Sequence, residues 1–371
     1  MTSSLTLYAG KKAYQTIRQY GLKQELFSTL VGASGGPKWF VLAGLDRYFC
    51  GEFFKYRKTD IATLGSSAGA WRFSCYAQTD KLAAINRLID GYAHLSYPKN
   101  ANKQQISAQS EQLLSYVLGA TGAQQIATNP LVHNHIVVAR SKGLSRFENT
   151  FLQASGLLAS AIANRGERRR LSRFYQRVIF SQQMQQPPFD YRDGIDSEQV
   201  ALTPTNAFHA LLATGAIPLL INGVRNIDGA KPGMYRDGGL IDYHFDQPFL
   251  AQPVDISAVD DSQSSSRQTL DGLVMYPHFA HQFKPGWFDK YVKHRYSNVK
   301  HFDNVLVLSP SDDFINSLPY KKIPDRTDFK HLAAQQRSQY FLQVVQQSEK
   351  LADEFDQLCH SPPQNIPLKL I

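Results

Sequence analysis

The segment Gly65-Ser66-Ser67-Ala68-Gly69 limits what this chain can fold into more than any other. It follows the apolar run Ile61-Ala62-Thr63-Leu64 and leads into Ala70-Trp71-Arg72-Phe73, which can continue as a helix. Gly-x-Ser-x-Gly between a strand and a helix is the pattern of a nucleophile elbow. The central serine sits in a sharp turn that pushes its hydroxyl out of the sheet. Side chains two positions to either side would collide there, so both are glycine. Ser67 is therefore the candidate nucleophile of an acyl hydrolase. The pattern occurs twice, because Gly32-Ala33-Ser34-Gly35-Gly36 also fits. Ser34 is thus a rival that the fold has to separate from Ser67.

The flanks of both copies predict the fold class. Phe27 to Val31 reads as a buried strand. After the glycine-rich turn, Trp39 to Phe49 carries apolar residues at helical spacing (Phe40, Leu42, Leu45, Phe49). Pro37 suits the first turn of that helix, where a missing N–H costs nothing. Strand, helix, strand, helix in this order predicts an α/β fold with a central, mostly parallel sheet flanked by helices. Both turns would lie at the carboxyl edge of neighbouring strands, where open α/β sheets place their sites. Further strands are expected at 136–139, 177–180, 273–276 and 305–308. Helices are expected over 80–130, 151–163, 204–214 with Thr203 as N-cap, and 331–358. Residues 1–26 read as a helical lead-in and 256–268 as an exposed Ser-rich, acidic loop. The chain is long enough for one large domain over 1–360, with its motifs in 27–245 and its later strands and long helix in 270–360. The tail 361–371, with three prolines, reads as poorly ordered.

Composition narrows the function classes. Hydrophobic residues make up 43% and charged residues 19%, which excludes wholesale disorder. The formal net charge of +9 favours an anionic partner or simply a basic surface. No recognition motif accompanies the charge, so nucleic acid is not expected. Cys50, Cys75 and Cys359 are far apart and odd in number, which gives neither a metal spacing nor a disulfide framework. They fit a reducing compartment. Met1 to Tyr14 has no apolar core segment and no run is long enough to span a bilayer. A cytoplasmic protein without signal peptide or transmembrane helix is expected. Phe151 to Ala163 is apolar and is followed by Arg165, Arg168, Arg169, Arg170, Arg173 and Arg177. This pairing fits peripheral contact with an anionic membrane, or a core helix capped by solvated arginines.

A third motif, Asp237-Gly238-Gly239, would alone be a turn. In order with Ser34-Gly35-Gly36-Pro37-Lys38 and Gly65-Ser66-Ser67-Ala68-Gly69-Ala70, it resembles the patatin-like phospholipase family. Ala213-Thr214-Gly215-Ala216-Ile217-Pro218 resembles the segment that family carries ahead of its aspartate. The resemblance implies a patatin-like three-layer α/β architecture and a Ser67–Asp237 dyad without histidine. It casts the first copy of the pattern as the oxyanion loop. Pro37 has no N–H, so Gly35 and Gly36 are the expected donors, with Lys38 at the family's basic position. Lipid acyl esters, phospholipid or lysophospholipid, are the implied substrates, with no cofactor and no metal. Ser34 and Trp39 depart from the family's glycines. A catalytically weak lipid-binding protein is the alternative. Asp237 could take the serine proton if it lies within hydrogen-bond reach, with burial raising its pKa. Asp228-Gly229 lacks the second glycine and reads as a loop. His244, His278, His281, His294 and His301 lie downstream of Asp237, so chain order also permits a Ser–acid–His triad.

Overall fold

The two runs that precede the glycine-rich turns, β2 and β3 below, lie side by side and parallel in the computed structural model. The structure describes residues 3–98, 100–183, 185–257 and 269–371. In chain order the first strands are β1 (Leu5–Ala9), β2 (Phe27–Gly32), β3 (Ile61–Ser66), β4 (Val132–Ser141), β5 (Tyr175–Gln182) and β6 (Ser197–Leu202). They are followed by β7 (Val224–Arg225), β8 (Met234–Asp237), β9 (Pro253–Asp255), β10 (Thr269–Asp271), β11 (Leu273–Pro277), β12 (Val305–Pro310) and β13 (Leu368–Leu370). One 11-stranded sheet runs β13-β1-β12-β11-β2-β3-β4-β5-β6, with β8 on β4 and β7 on β8. β9 and β10 form a separate antiparallel ribbon.

The centre, β12-β11-β2-β3-β4, is all parallel. Parallel strands must be covered on both faces, so they read as continuous apolar runs rather than alternating ones. Every residue of β2, β11 and β12 is buried. Helices flank the sheet in a three-layer α/β arrangement. The helix Ala334–Cys359 buries Tyr340, Phe341, Val344, Leu351 and Phe355, a stripe at helical spacing, against the core.

Three expectations from sequence need correction. Residues 5–9 are strand, not helix: alternate residues Leu5, Leu7 and Ala9 are buried while β1 pairs antiparallel with β12. The helix of the lead-in occupies only Lys11–Tyr20. The tail is not loose, because β13 pairs parallel with β1, and Arg18 donates to the carbonyls of Pro363 and Gln364 at 2.9 Å each. The helix expected from Pro204 is Ala207–Thr214. Asn206 stands at its N-cap position, while Thr203 caps the turn ahead: its Oγ1 accepts the Asn206 N–H at 3.3 Å and its own N–H donates to Asn206 Oδ1 at 2.8 Å. Of the expected loop 256–268, Ile256 is buried and residues 258–268 lie outside the described residues.

Candidate active site

β3 ends at Ser66, and Ser67 begins the turn into the helix Ala68–Tyr76. Ser67 has φ 53° and ψ −124°, a conformation that L residues adopt at a cost of about 1–3 kcal/mol. The glycines on either side are there for space. A Cβ on Gly65 would lie 2.5 Å from Ala70 N, and one on Gly69 2.0 Å from Gly32 O. The strain is held by a side chain distant in sequence. Ser67 N–H donates to Thr214 Oγ1 at 2.9 Å, and that hydroxyl donates to Val137 O at 2.6 Å.

β4 brings the carboxylate to the serine. One edge of β4 pairs with β5 over His135–Ser141. On the other edge β3 pairs up to Ser66↔Val137, and β8 takes over from Val138↔Asp237. The strand carrying Asp237 thus ends where the strand carrying the elbow turns away. Ser67 Oγ donates to Asp237 Oδ2 at 3.0 Å. Gly239 N–H donates to Asp237 Oδ1 at 2.8 Å, so both carboxylate oxygens are fixed. Asp237 N–H donates to Ala216 O at 3.1 Å, which ties the 213–218 segment to the carboxylate as Thr214 ties it to the serine. Burial raises the Asp237 pKa above the ordinary carboxylate value. Arg326, the Gly239 N–H, the Ser67 hydroxyl and Lys290 oppose that rise in part.

The first copy of the pattern folds differently. Ser34 is fully buried, donates through Oγ to Ser66 Oγ at 3.0 Å and donates its N–H to Tyr243 O at 2.9 Å. It packs against Gly239, where an added Cβ would lie 2.5 Å from Ser34 Oγ. Gly36 has φ 56°, the left-handed region that favours glycine, and opens the helical turn Gly36–Leu42. Among the described residues, the N–H groups of Gly35 and Gly36 have no acceptor in the protein. Lys38, half-buried, lies 5.1 Å over the Phe279 ring; burial is the main cause of its lowered pKa. Trp39 is buried at the cavity wall.

Behind the two turns, their helices are bolted together. Arg72, on the helix after the elbow, makes a two-pronged bond to Asp46 at 2.8 and 2.7 Å, on the helix Ala43–Tyr48. Both are fully buried, and Tyr76 Oη donates to the same carboxylate at 2.8 Å. The neighbouring turns are thereby held in fixed relation.

A cavity of about 630 Å³ opens at Ser67. Its wall is largely apolar and aromatic, with Trp71, Leu88, Tyr92, Leu113, Ile217 and Phe329 among its residues. Leu88, Tyr92 and Leu113 come from the polar helices of 80–130, where the sequence showed no chemistry. Beside the cavity is a shallow recess containing Asp237, Gly239, Tyr243, Trp287 and Arg326, and Arg326 borders both spaces. Arg326 and Lys290 were not legible as site residues, since nothing local marks them.

The histidines do not assemble a triad. Among the described residues no histidine is within hydrogen-bond distance of Ser67 Oγ. His244 and His278 are buried against each other, with burial pushing both pKa values down, that of His278 to about 3. His281 and His294 are exposed, and His301 bonds Asp246 O at 3.0 Å. Asp228 lies in a turn and accepts from Thr205 Oγ1 at 2.8 Å. Among the described residues no group of three or more His, Cys, Asp or Glu is placed to hold a metal ion. Of the arginine run, Arg168 and Arg177 turn inward onto Asp193 and Asp242. Arg165, Arg169, Arg170 and Arg173 are exposed. Among the described residues no helix is long and apolar enough to cross a membrane. Comparison with protein-family models and with curated proteins finds no match to this chain.

Proposed function

We propose that this protein is a serine acyl hydrolase that cleaves lipid ester bonds through a Ser67–Asp237 dyad, as its resemblance to patatin-like phospholipases implies. The observation that carries this reading is the 3.0 Å hydrogen bond from Ser67 Oγ to Asp237 Oδ2, at a strained strand–helix turn opening on a largely apolar cavity. Ser67 Oγ attacks the ester carbonyl carbon while its proton passes to Asp237 Oδ2. The developing oxyanion faces the free N–H groups of Gly35 and Gly36, with the Ala68 N–H at the next helix start as a third donor. Collapse releases the alcohol, which takes the proton from Asp237. Water then gives a proton to Asp237 and attacks the acyl carbon; the bond to Ser67 Oγ breaks, Oγ takes that proton back from Asp237, and the acid leaves. The raised pKa of Asp237 suits it to this traffic, since a base works best when its pKa approaches the working pH. The cavity takes the acyl chain; its volume is within the range of small-molecule sites.

A cytoplasmic protein working at a membrane surface fits this chemistry. Phe151, Leu158 and Ile162 project from one side of the helix Thr150–Gly166 at 77%, 63% and 66% exposure. Gln153 of the same helix accepts the Leu219 N–H at 2.6 Å, and Leu219 and Leu220 are exposed at the cavity wall. With exposed Arg165, Arg169, Arg170 and Arg173 nearby in sequence, this face suits an anionic lipid surface. A catalytically weak lipid-binding protein is the second reading, because the same cavity can hold a chain without turnover.

Hydrolysis of a short-chain p-nitrophenyl ester separates the two. The hydrolase reading expects turnover that is lost in Ser67→Ala and Asp237→Ala. Fatty-acid binding with no turnover, or turnover in the two variants equal to that of the native protein, refutes it.

A further inference from the structure

Three cations lie near the dyad or its neighbouring glycine loop, and among the described residues none has a counter-ion in contact. Lys38 follows the oxyanion loop, Lys290 belongs to the turn Trp287–Tyr291, and Arg326 lies on the segment before the short helix Asp328–His331. All three are partly buried. Among the described residues, none of their side chains has an ion-pair or hydrogen-bond partner; Lys38 lies over the Phe279 ring and Lys290 at 3.5 Å over Tyr243, and Asp325 acts on Lys38 through space alone. The adjacent carboxylates are committed elsewhere. Asp289 accepts from Asn164 at 2.7 Å, Gly286 N–H at 2.8 Å and Arg295 at 2.9 Å. Asp325 is held by Lys322 at 3.1 Å and by Thr327. That leaves Asp237 as the one carboxylate acting on Lys290, against the positive charges of Arg326 and Lys38.

Position gives the trio a role. Arg326 touches both the apolar cavity and the recess beside Asp237, and its Nε would lie 3.4 Å from a Cβ placed on Gly36. The recess also contains Tyr243, the ring beneath Lys290. An ester with its chain in the cavity and its carbonyl at the loop would place its alcohol portion against these cations. Uncompensated, partly buried charge is unfavourable, and an anion of matching charge relieves it. The strain is visible in Lys290, whose pKa is pulled down to about 7 by burial and by the two neighbouring cations. Three basic groups against Asp237, with the more distant Asp325 already paired to Lys322, fit a dianion better than a monoanion or a zwitterion.

Building on the hydrolase reading, we propose that Lys38, Lys290 and Arg326 form an anion subsite for the leaving group, and that the substrate is an acyl ester of an alcohol bearing a phosphate monoester.

The test reads binding without turnover, by titration calorimetry on the Ser67→Ala protein. The probes are 1-octanoylglycerol 3-phosphate, 1-octanoylglycerophosphocholine, 1-octanoylglycerol and inorganic phosphate. The phosphate monoester should bind about tenfold tighter than the neutral ester and also tighter than the choline diester. Adding Arg326→Gln and Lys290→Gln should bring that preference close to onefold, while Lys290→Arg should keep it. Inorganic phosphate should bind far more weakly than the acylated monoester. Equal affinity for all three acyl probes, or a preference that survives loss of both cations, overturns the proposal. Inorganic phosphate binding as tightly as the acylated monoester would assign the site to a free ion and overturn the substrate class. Turnover of neutral and phosphate-bearing esters at equal rates sinks the subsite alone. Retained phosphate preference with no ester turnover sinks the hydrolase reading alone.

Discussion

Residues 32–36 and 65–69 spell the same pattern at the ends of adjacent parallel strands, and only one of them presents its serine. Ser67 sits in a left-handed turn with its hydroxyl on a carboxylate. Ser34 faces inward, bonded to Ser66 and covered by Gly239. The strand–turn–helix unit is common to both, so the pattern cannot be what separates them. The separation comes from what each turn meets across the sheet. The second turn meets Thr214, at the end of the helix Ala207–Thr214, and Asp237, at the end of β8, whereas the first meets the side of the second. What the first turn offers instead is its backbone: two N–H groups without acceptors among the described residues, and a left-handed Gly36. One local motif thus supplies an alcohol in one place and amides in the other.

The contrast can be broken most severely at the serines. Ser67→Ala should lower kcat for ester hydrolysis by about 10⁴-fold or more, measured with a p-nitrophenyl ester, whereas Ser34→Ala should stay within about tenfold. A comparable loss in both would erase the distinction. Next in size is the bolt behind the turns. Arg72→Met leaves the Asp46 carboxylate buried without its partner and should destabilise the fold by about 3–5 kcal/mol in urea unfolding. Thr214→Val removes the acceptor of the Ser67 N–H and should cost about 1–3 kcal/mol, with kcat falling more than KM changes. Unchanged stability and kinetics would mean that the elbow holds itself.

The remaining effect concerns Asp237 and has the opposite sign. Its folded pKa is raised by burial, so the folded state binds a proton more tightly than the unfolded one. The stability this proton contributes is present at low pH and is lost as pH rises from the ordinary carboxylate value through the raised one. Asp237→Asn, which carries no such charge, should therefore gain Tm relative to the native protein as pH rises through that window, while losing hydrolysis. A Tm difference that does not vary between pH 3 and pH 8 contradicts the buried-carboxylate account.

Much of the central fold was legible because parallel strands covered on both faces leave long apolar runs, as in Phe27–Val31 and Val305–Leu308. The elbow was legible because its geometry demands glycine at fixed offsets. The edges of the sheet were harder to read. Leu5–Ala9 alternates under a polar flank, and the proline-bearing tail is held by pairing with β1 and by Arg18, partners about 350 residues away that no local pattern announces. The cavity wall was hidden for a similar reason. Leu88, Tyr92 and Leu113 look like ordinary inward-facing helix positions, and only the three-dimensional arrangement shows that part of the core face is open. Arg326 and Lys290 were invisible because an unpaired cation is defined by what its neighbours are doing, and sequence does not give those neighbours.

The measurement that bears most directly on the contrast is labelling with a fluorophosphonate probe, followed by mapping of the modified peptide. Phosphonylation of Ser67, slowed strongly in Asp237→Asn and absent at Ser34, is the predicted result. A label on Ser34, or on Ser67 at the same rate with and without the Asp237 carboxylate, would contradict it.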